Sequence, residues 1–458
     1  MSVLLDTTDR RPVHFMGIGG AGMSALAELL IGRGVSVSGC DTNAEGAADI
    51  AALGAHVVAG HDPSHIANAR AVVYSSAIDA DNAELMRARE RGIPVIRRAE
   101  ALATVVKGRL VGVAGTHGKT TTTVMTTEAL SAGGMDPTGV VGGRVAAWHG
   151  NLRRGTSDVF VVEADEYDRS FLALDPTVAV VTNIEADHLD IYRDLDDVRS
   201  AFAKFIERAR FVVLCADDPV ANALPTRPTA EVFRYGLSAE HARLCATELR
   251  AEGRGQQFTV VFDGETIGDV QLQVPGVHNV RNALAAVASG LAWGCELASM
   301  ARGLATFTGV ERRFQYLGES AGVVVVDDYA HHPTEIRATI AAARTVYPGR
   351  RLVVAFQPHL FTRTRDFAGD FGAALAAADA VLLTEIYAAR EEPIPGVSTD
   401  VVVDALRNAG GKTAWRGERG GLADALAAAV RPGDVVLTVG AGDITKTGPE
   451  LLAKLRTT

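Results

Sequence analysis

Residues 109–123 read RLVGVAGTHGKTTTT, and the order of residue types in this stretch decides the fold of the middle of the chain. The apolar residues at its start are typical of a buried strand, and the threonine-rich run that follows Lys119 predicts a helix. Between them, Gly115 and Gly118 allow a tight loop whose backbone N–H groups approach an anion. Because Val113 stands where the strict Walker A spacing has glycine, the loop is a variant of that phosphate-binding motif.

The side chains of this loop suit a nucleoside triphosphate. Lys119 supplies a positive charge for the β- and γ-phosphates, and the Thr120 hydroxyl is placed to reach Mg²⁺. A turn that serves only the packing of the chain is the alternative. The sequence of strand, Gly-Lys-Thr and helix favours the phosphate site.

A second glycine-rich turn opens the chain in VHFMGIGGAGMSALA. Gly17, Gly19 and Gly22 fit the G-x-G-x-x-G pattern between a strand and a helix, where the helix N-terminus offers unpaired N–H groups to a diphosphate. Asp41 ends the next strand and is placed to accept a ribose hydroxyl. A nicotinamide or flavin site and a turn needed only for packing are alternatives. The pattern predicts a diphosphate ligand and leaves the nucleotide open.

Strand-like and helix-like segments alternate along the whole chain, which predicts an α/β protein with largely parallel sheets. The 458 residues exceed what one core usually sustains. We therefore predict three domains: a Rossmann-like N-terminal domain (1–108), a central P-loop-type mononucleotide-binding ATPase domain (109–315) and a Rossmann-like C-terminal domain (316–458).

Composition excludes several classes of protein. The net charge of -10, without a long Lys/Arg block, argues against a nucleic-acid surface. Cys40, Cys215, Cys245 and Cys295 are widely spaced, which favours a reducing compartment over a disulfide framework. No secretory leader is evident, and no apolar run approaches the ~20 residues of a membrane helix. We expect a cytoplasmic monomer or dimer with no nucleic-acid partner and no stable membrane insertion.

Hard metal ligands gather at the ends of two apolar segments downstream of the Gly-Lys-Thr loop. The clusters are VVEADEYD, with Glu163, Asp165 and Glu166, and TNIEADHLDIY, with Asp187, His188 and Asp190. Acidic loops are often merely solvated, so either cluster alone is ambiguous. Together they favour a magnesium site, because carboxylates beside a triphosphate repel it unless a cation lies between them.

Polar residues also mark later strand ends and one helix start. In PGVHNVRNALAA, the amides of Asn279 and Asn282 are suited to read a base edge, although Asn279 also suits a helix cap. Arg313 in GVERRF is a phosphate contact or one of a solvated basic pair. DDYAHHPTE and FQPHLFTRTR contain Asp328, His331, His359, Arg363 and Arg365. Both stretches follow strands, where ligands bind in open α/β sheets, although a loop histidine is often only a surface residue.

In order, these motifs resemble the Mur ligases, from about residue 12 to Gly442. The resemblance implies that the first loop binds the diphosphate of a UDP-sugar and the second binds ATP. It is nearest to members that join L-alanine to the lactyl carboxylate of UDP-N-acetylmuramate through an acyl phosphate, releasing ADP and phosphate. Such ligases serve peptidoglycan synthesis, and so cell wall biogenesis, cell shape and cell division.

The resemblance also assigns residues by motif. The expected catalytic residues are Lys119, Glu163, His188, His331 and Arg363. Thr120 and Glu163 are the expected ligands of one Mg²⁺, with Glu163 and His188 towards a second. The expected ATP-binding residues are Gly115, Thr116, His117, Gly118, Lys119, Thr120, Thr121, Asn279, Asn282, Arg313 and Asp328. The expected UDP-sugar-binding residues are Gly17, Gly19, Gly20, Ala21, Gly22, Asp41 and Ser75.

The chain departs from the family pattern at two places. Leu360 and Phe361 stand where the family usually has arginine and tyrosine, so one basic contact to the amino acid is missing or supplied elsewhere. Tyr167 replaces a common serine. A murein-peptide ligase, an NAD-dependent oxidoreductase and a nucleotide-binding module without chemistry are the competing interpretations. The oxidoreductase leaves the second loop and its acidic clusters unexplained.

Overall fold

The computed structural model describes residues 3–238, 240–389 and 391–456. By Cα proximity the chain forms two compact units. The first comprises Met1–Leu249, Gln257–Leu272 and Val280–Phe307, and the second Arg250–Gln256, Gln273–Asn279 and Thr308–Thr458. The three predicted α/β domains correspond to three separate sheets. The domain boundaries at 108 and 315 stay a prediction.

The first sheet has five parallel strands in the order β3-β2-β1-β4-β5, which is a Rossmann-like arrangement. Its strands are β1 (Val13–Met16), β2 (Val37–Asp41), β3 (His56–Ala59), β4 (Ala71–Tyr74) and β5 (Val95–Arg97). Its helices are α1 (Ala21–Ile31), α2 (Ala48–Ala52), α3 (Ala83–Glu90) and α4 (Arg98–Val105), with a 3₁₀ turn at Ala44–Ala47. The strand order reverses beside β1, so a crevice opens at the carboxyl ends of β1 and β4.

The central sheet has ten strands in the order β15-β14-β13-β12-β11-β10-β6-β9-β7-β8. They are β6 (Arg109–Ala114), β7 (Thr138–Val145), β8 (Gly150–Arg153), β9 (Val159–Glu163), β10 (Val178–Val181), β11 (Phe211–Cys215), β12 (Glu231–Gly236), β13 (Leu244–Glu252), β14 (Gly255–Phe262) and β15 (Glu265–Leu272). The helices are α5 (Lys119–Ala132), α6 (Leu195–Ile206), α7 (Pro219–Asn222), α8 (Val277–Leu291) and α9 (Leu297–Ala305), with 3₁₀ segments at Ala146–Trp148 and Tyr167–Ala173. β6 pairs in parallel with β9 and β10, so residues following these three strands meet at one sheet edge.

The third sheet has six strands in the order β16-β17-β21-β18-β19-β20, and only the β16/β17 pair is antiparallel. The strands are β16 (Gln315–Ser320), β17 (Val323–Asp328), β18 (Leu352–Phe356), β19 (Ala380–Thr384), β20 (Thr413–Gly417) and β21 (Val435–Val439). The helices are α10 (Pro333–Val346), α11 (Phe361–Leu375), α12 (Asp400–Asn408), α13 (Arg419–Ala429) and α14 (Thr447–Arg456), with a 3₁₀ turn at Asp443–Lys446.

The first two sheets share a hydrophobic core, which explains why they fall in one compact unit. Leu26 and Leu30 on α1 belong to the same buried cluster as Val140, Leu152 and Phe160 of the central sheet. Burying such side chains contributes roughly 1.5–3 kcal/mol each. The first sheet is therefore held against the central one by apolar packing.

Within the part of the chain that the structure describes, no helix combines the length and the apolar character needed to cross a membrane.

Candidate nucleotide and substrate sites

The predicted phosphate loop, Gly115–Thr120, connects β6 to α5, as the sequence indicated. Gly115 has φ +141° and Gly118 has φ +82°, conformations that L side chains rarely adopt. A Cβ at Gly115 would also collide with Thr182 Oγ1, and a Cβ at Gly118 would lie 2.7 Å from Asn282 Oδ1. Both glycines are therefore required by conformation and by close approach. The same contact places Asn282 beside the loop.

The end of the neighbouring strand β10 holds the loop in shape. Thr116 N donates to Asn183 O at 3.0 Å, and His117 N donates to Asn183 Oδ1 at 2.8 Å. Thr182 Oγ1 donates to His117 O at 2.6 Å. Thr182 and Asn183 stand at the start of the TNIEADHLDIY motif, but no local pattern marks them as partners of the loop. These bonds preorganise the loop's remaining backbone N–H groups for an anion.

Lys119 lies at the first position of α5 and is mostly buried. Its Nζ is 2.7 Å from Glu166 Oε2 and donates to Gly115 O at 2.7 Å. Burial lowers the pKa of Lys119, but Glu166, Asp165 and Glu163 outweigh that effect and raise it above its ordinary value. Burial raises the pKa of the Glu166 carboxyl to about 7, against the opposing effect of Lys119. Glu166 therefore occupies the place of the anionic partner of the loop lysine.

Thr120 and Glu163, two predicted Mg²⁺ ligands, are in direct contact. Thr120 Oγ1 donates to Glu163 Oε1 at 2.9 Å, and Gly142 N donates to Glu163 Oε2 at 2.6 Å. The third predicted ligand, His188, has its Nε2 3.7 Å from Glu166 Oε1. Its ring also meets the Tyr167 ring edge-on, with centroids 5.1 Å apart. The departure from the family pattern at Tyr167 thus packs against a predicted metal ligand.

These residues fit ATP and Mg²⁺. The loop supplies backbone donors and a lysine for phosphate, and Thr120 with Glu163 supplies hard oxygen ligands for a divalent cation. Thr121 is buried in the first turn of α5. Asn279 lies in the first turn of α8, and its Nδ2 donates to Pro275 O at 2.6 Å, so it binds the chain itself at the helix start.

The first glycine loop borders a cavity of about 480 Å³, large enough for a nucleotide. Of the residues predicted there, Gly17, Gly19, Gly20, Asp41 and Ser75 line it, and other lining residues include Asn43, His61 and Asn82. Asp41 Oδ2 accepts a hydrogen bond from Gly19 N at 2.9 Å, so this carboxylate shapes the loop. Ala21 and Gly22 lie in the first turn of α1, where a Cβ on Gly22 would meet Arg98 Nη1 at 2.8 Å.

In the second unit, Arg313 and Asp328 belong to one structured corner. Arg313 Nη1 lies 3.5 Å from Glu335 Oε1. Asp328 is buried and accepts hydrogen bonds from Phe314 N at 2.9 Å and Ala330 N at 2.8 Å. Burial raises the pKa of this carboxyl to about 6. Asp328 thus stabilises the turn that carries Arg313, and its predicted contact with ATP stays a prediction.

His331, His359 and Arg363, from two separate motifs, come together in the second unit. The rings of His331 and His359 have centroids 6.1 Å apart, and Arg363 Nη1 lies 3.4 Å from His359 Nδ1. His359 also stacks on Tyr387 with centroids 5.7 Å apart. This arrangement gives a buried guanidinium beside imidazoles, which suits recognition of a carboxylate.

Leu360, the residue before α11, has φ +69° and ψ 138°. A branched side chain rarely adopts this conformation, and such strain concentrates at functional sites. Thr364 holds Leu360 in place by donating to its carbonyl from both N, at 3.1 Å, and Oγ1, at 2.7 Å. The departure from the family pattern at Leu360 therefore lies at a strained backbone position.

Family models match all three sheet regions. They are described as Mur ligase family, catalytic domain (residues 12–109), Mur ligase middle domain (113–290) and Mur ligase, glutamate ligase domain (312–442). A relative from Acidothermus cellulolyticus, named UDP-N-acetylmuramate–L-alanine ligase, is 47% identical over 452 residues, covering 97% of this chain and 94% of the relative. The chain belongs to the Mur ligase family. The predicted resemblance is confirmed, as is the three-domain α/β architecture.

Other members of the Mur ligase family agree. A protein of the same name from Cutibacterium acnes is 47% identical over 461 residues, covering 99% of this chain and 98% of that protein. The crystal structure of UDP-N-acetylmuramate-alanine ligase MurC from Thermotoga maritima has a TM-score of 0.83 at 31% identity, covering 97% of this chain and 99% of that one. A murein peptide ligase from Psychrobacter arcticus, at 23% identity and a TM-score of 0.73 over 98% of this chain and 99% of that one, shares the fold.

Proposed function

We propose that this protein is an ATP-dependent amide ligase that joins L-alanine to the lactyl carboxylate of UDP-N-acetylmuramate in peptidoglycan precursor synthesis. The main support is the structure of the phosphate loop, in which Lys119 forms an ion pair with Glu166 and Thr120 donates a hydrogen bond to Glu163. That arrangement supports phosphoryl transfer. The relatives at 45–47% identity, all named for this alanine-adding reaction, support the substrates.

Phosphoryl transfer to a carboxylate brings two anions together, so the site must neutralise charge. Gly115, Thr116, His117, Gly118 and Thr121 would surround the ATP phosphates. Lys119 would exchange Glu166 for phosphate oxygen, and Thr120, Glu163 and His188 would hold Mg²⁺, which supplies the remaining positive charge. The proposal includes four further residues that would contact ATP: Asn279, Asn282, Arg313 and Asp328.

The cavity at the first glycine loop is the proposed site of the UDP-sugar. Gly17, Gly19 and Gly20 bring backbone close to a diphosphate, and the N-terminus of α1 at Ala21 and Gly22 favours negative charge. Asp41 and Ser75 line the same cavity and offer acceptors and a donor to ribose or sugar hydroxyls. Two phosphate loops then serve two different nucleotides.

The second unit is the proposed source of the residues that bind L-alanine. Arg363 would pair with the amino-acid carboxylate, and His331 would contact the incoming amine or the muramyl carboxylate. The attack forms the amide bond as the acyl phosphate's C–O bond breaks and phosphate leaves, and it requires the amine in its neutral form. His331 Nδ1 is 3.1 Å from Tyr329 O and 3.3 Å from Glu335 Oε2, contacts that orient its ring.

The deciding experiment measures phosphate release from ATP and Mg²⁺ with UDP-N-acetylmuramate and one of three acceptor conditions: L-alanine, an L-alanyl peptide, or none. We expect release that depends on L-alanine, with the amide product confirmed by mass. Release with the peptide alone would instead support a murein-peptide ligase. ATP binding without acceptor-dependent release would support a binding module. We place the reaction in the cytoplasm, with the enzyme a monomer or dimer.

A further inference from the structure

Four side chains of types that ligate metals gather at the first sheet, away from the phosphate loop Gly115–Thr120. We call His14, Cys40, His61 and Glu84 the buried cluster. Cys40 Sγ is 3.1 Å from His61 Nδ1 and 3.3 Å from Glu84 Oε2, and His61 Nδ1 is 3.5 Å from the same oxygen. Ligand atoms of His14, Cys40 and Glu84 all lie within 4.8 Å of one another.

Two of the three distances match those around one tetrahedral ion, and the third is slightly shorter. At ordinary zinc bond lengths, two ligands of the same ion are about 3.3–3.6 Å apart. The three edges between Cys40, His61 and Glu84 are 3.1, 3.3 and 3.5 Å. A thiolate, imidazoles and a carboxylate form a donor set that selects zinc or a similar transition metal over Mg²⁺.

The hydrogen bond of His14 to Ser38 is compatible with metal binding through its other ring nitrogen. Its Nδ1 lies 2.9 Å from Ser38 Oγ, its cross-strand neighbour, so Nδ1–H can donate to that hydroxyl and leave the Nε2 lone pair for a metal. Nε2 is 2.8 Å from Glu84 Oε1, so it either donates to that oxygen or shares a cation with it. With the proton on Nδ1, Nε2 and Glu84 Oε1 would both face a cation as ligands, whereas with the proton on Nε2 they form a hydrogen bond.

The alternative is a proton network, in which the single S–H of Cys40 donates to Glu84 while Sγ accepts from His61 Nδ1–H. The metal titration described below distinguishes this network from a bound cation. Glu84 is fully buried, and apolar residues such as Met16, Ile66 and Leu85 form the cluster around Cys40. A buried carboxylate in such surroundings needs a partner charge.

We infer that His14, Cys40, His61 and Glu84 form a binding site for one zinc-class divalent cation. Binding displaces the Cys40 thiol proton to solvent and joins β1, β2, α3 and the segment after β3. His61 also lines the cavity beside the first glycine loop, so the cation would brace a wall of that cavity. The inference does not depend on the proposed ligase activity.

The test uses the full-length protein, stripped with a chelator and kept in excess Mg²⁺ so that hard-ligand sites are saturated. Co²⁺ is titrated as the spectroscopic probe, and Zn²⁺ is counted by elemental analysis after gel filtration. We expect one equivalent of zinc per chain and a cobalt–thiolate charge-transfer band. The band should disappear in Cys40→Ser and persist in Cys245→Ser, which changes a buried cysteine of the central sheet.

A second variant keeps the inference testable if Cys40→Ser fails to fold. The His61 side chain is 17% exposed, so His61→Gln should leave the core intact. Because losing even an outer partner of a metal site costs about 10–100-fold in affinity, we expect His61→Gln to weaken Zn²⁺ binding at least tenfold. Wild-type protein that retains no zinc, or a cobalt band that survives both Cys40→Ser and His61→Gln, would overturn the inference.

Discussion

The Lys119 ammonium and the Glu166 carboxylate form a buried ion pair with a shortest N–O distance of 2.7 Å. Lys119 is the proposed phosphate-binding lysine of the loop, and Glu166 supplies a negative charge where phosphate is proposed to bind. The pair therefore keeps the loop charge-balanced before ATP binds. Breaking a buried pair by removing one partner is costly, because the other charge remains buried.

Replacing Glu166 by glutamine should destabilise the ligand-free protein. We expect Glu166→Gln to cost about 3 kcal/mol, since it removes the nearest anion of the buried Lys119 ammonium. Saturating ATP and Mg²⁺ should narrow the difference in melting temperature from wild type, because phosphate replaces the lost charge. Thermal unfolding with and without nucleotide measures both effects. The exposed Glu207→Gln is the control, and an unchanged melting temperature in Glu166→Gln would contradict the role given to the pair.

Lys119→Ala should separate the two nucleotide sites. We expect turnover to fall by about 10³-fold or more, because the developing phosphoryl charge loses its lysine. Stabilisation by UDP-N-acetylmuramate should be unaffected, since the first glycine loop is the proposed site of that ligand. Phosphate release and thermal shifts with each nucleotide give the two readouts, with exposed Lys107→Ala as control. Loss of both affinities together would refute the separation.

Gly115→Ala tests the conformation of the phosphate loop. The new methyl group would collide with Thr182 Oγ1, at a residue whose φ is +141°. Gly134→Ala is the matched control, because Gly134 also has positive φ (+86°) but nothing lies within 4 Å of its added Cβ. We expect the control to cost about 1–2 kcal/mol from backbone strain. Gly115→Ala should lower the free energy of unfolding by more than Gly134→Ala does, and it should abolish ATP binding. Equal losses of stability in the two variants, with ATP binding retained, would contradict this account.

The elements that the sequence predicted correctly are those determined by residues close together in the chain. β6, the phosphate loop and α5 follow from an apolar run, two glycines and a helix start within fifteen or so residues. The acidic motif contains Glu166 but does not identify it as the partner of Lys119, because that contact joins residues 47 positions apart. It also depends on a 3₁₀ segment in which Asp168 and Arg169 have positive φ, which no local pattern announces.

The buried cluster and the strained backbone at Leu360 also depend on residues far apart in the sequence. The buried cluster joins His14, Cys40, His61 and Glu84 across two strands, a loop and a helix, without metal-finger spacing. The strained Leu360 was visible only as a departure from the family motif, since its φ depends on bonds to Tyr387 and Thr364. Sequence patterns predict local structure, whereas these features arise from tertiary contacts.

Asp328 should make stability depend on pH. Burial raises its pKa to about 6, above the ordinary value of 3.8, so the folded protein binds this proton more tightly than the unfolded chain does. Its contribution is therefore favourable at low pH and is lost as pH rises from about 4 through 6, by on the order of 3 kcal/mol.

Asp328→Asn removes this titration, because an amide stays neutral. Relative to this variant, wild type should become less stable as pH rises from about 4.5 to 7.5. Melting temperatures of both proteins across that range measure the difference, and exposed Asp404→Asn serves as control. A difference between wild type and Asp328→Asn that stays constant with pH would show that the carboxyl does not titrate there.

Arg363 tests the assignment of the amino-acid site. Its guanidinium is buried with Nη1 3.4 Å from His359 Nδ1, and it is the proposed partner of the L-alanine carboxylate. Losing a charge-assisted hydrogen bond costs about 1.5–3 kcal/mol, so Arg363→Ala should raise the KM for L-alanine roughly 10–150-fold. The KM for ATP should change far less.

Steady-state kinetics with each substrate varied in turn checks this expectation, and two further variants sharpen it. Arg365→Ala removes an exposed arginine two residues along the same helix and should leave both KM values unchanged. Arg363→Lys keeps the charge but loses the planar fork, so it should recover only part of the affinity for L-alanine. Equal increases in the KM for L-alanine and for ATP in Arg363→Ala would remove Arg363 from amino-acid recognition and indicate a structural role in α11.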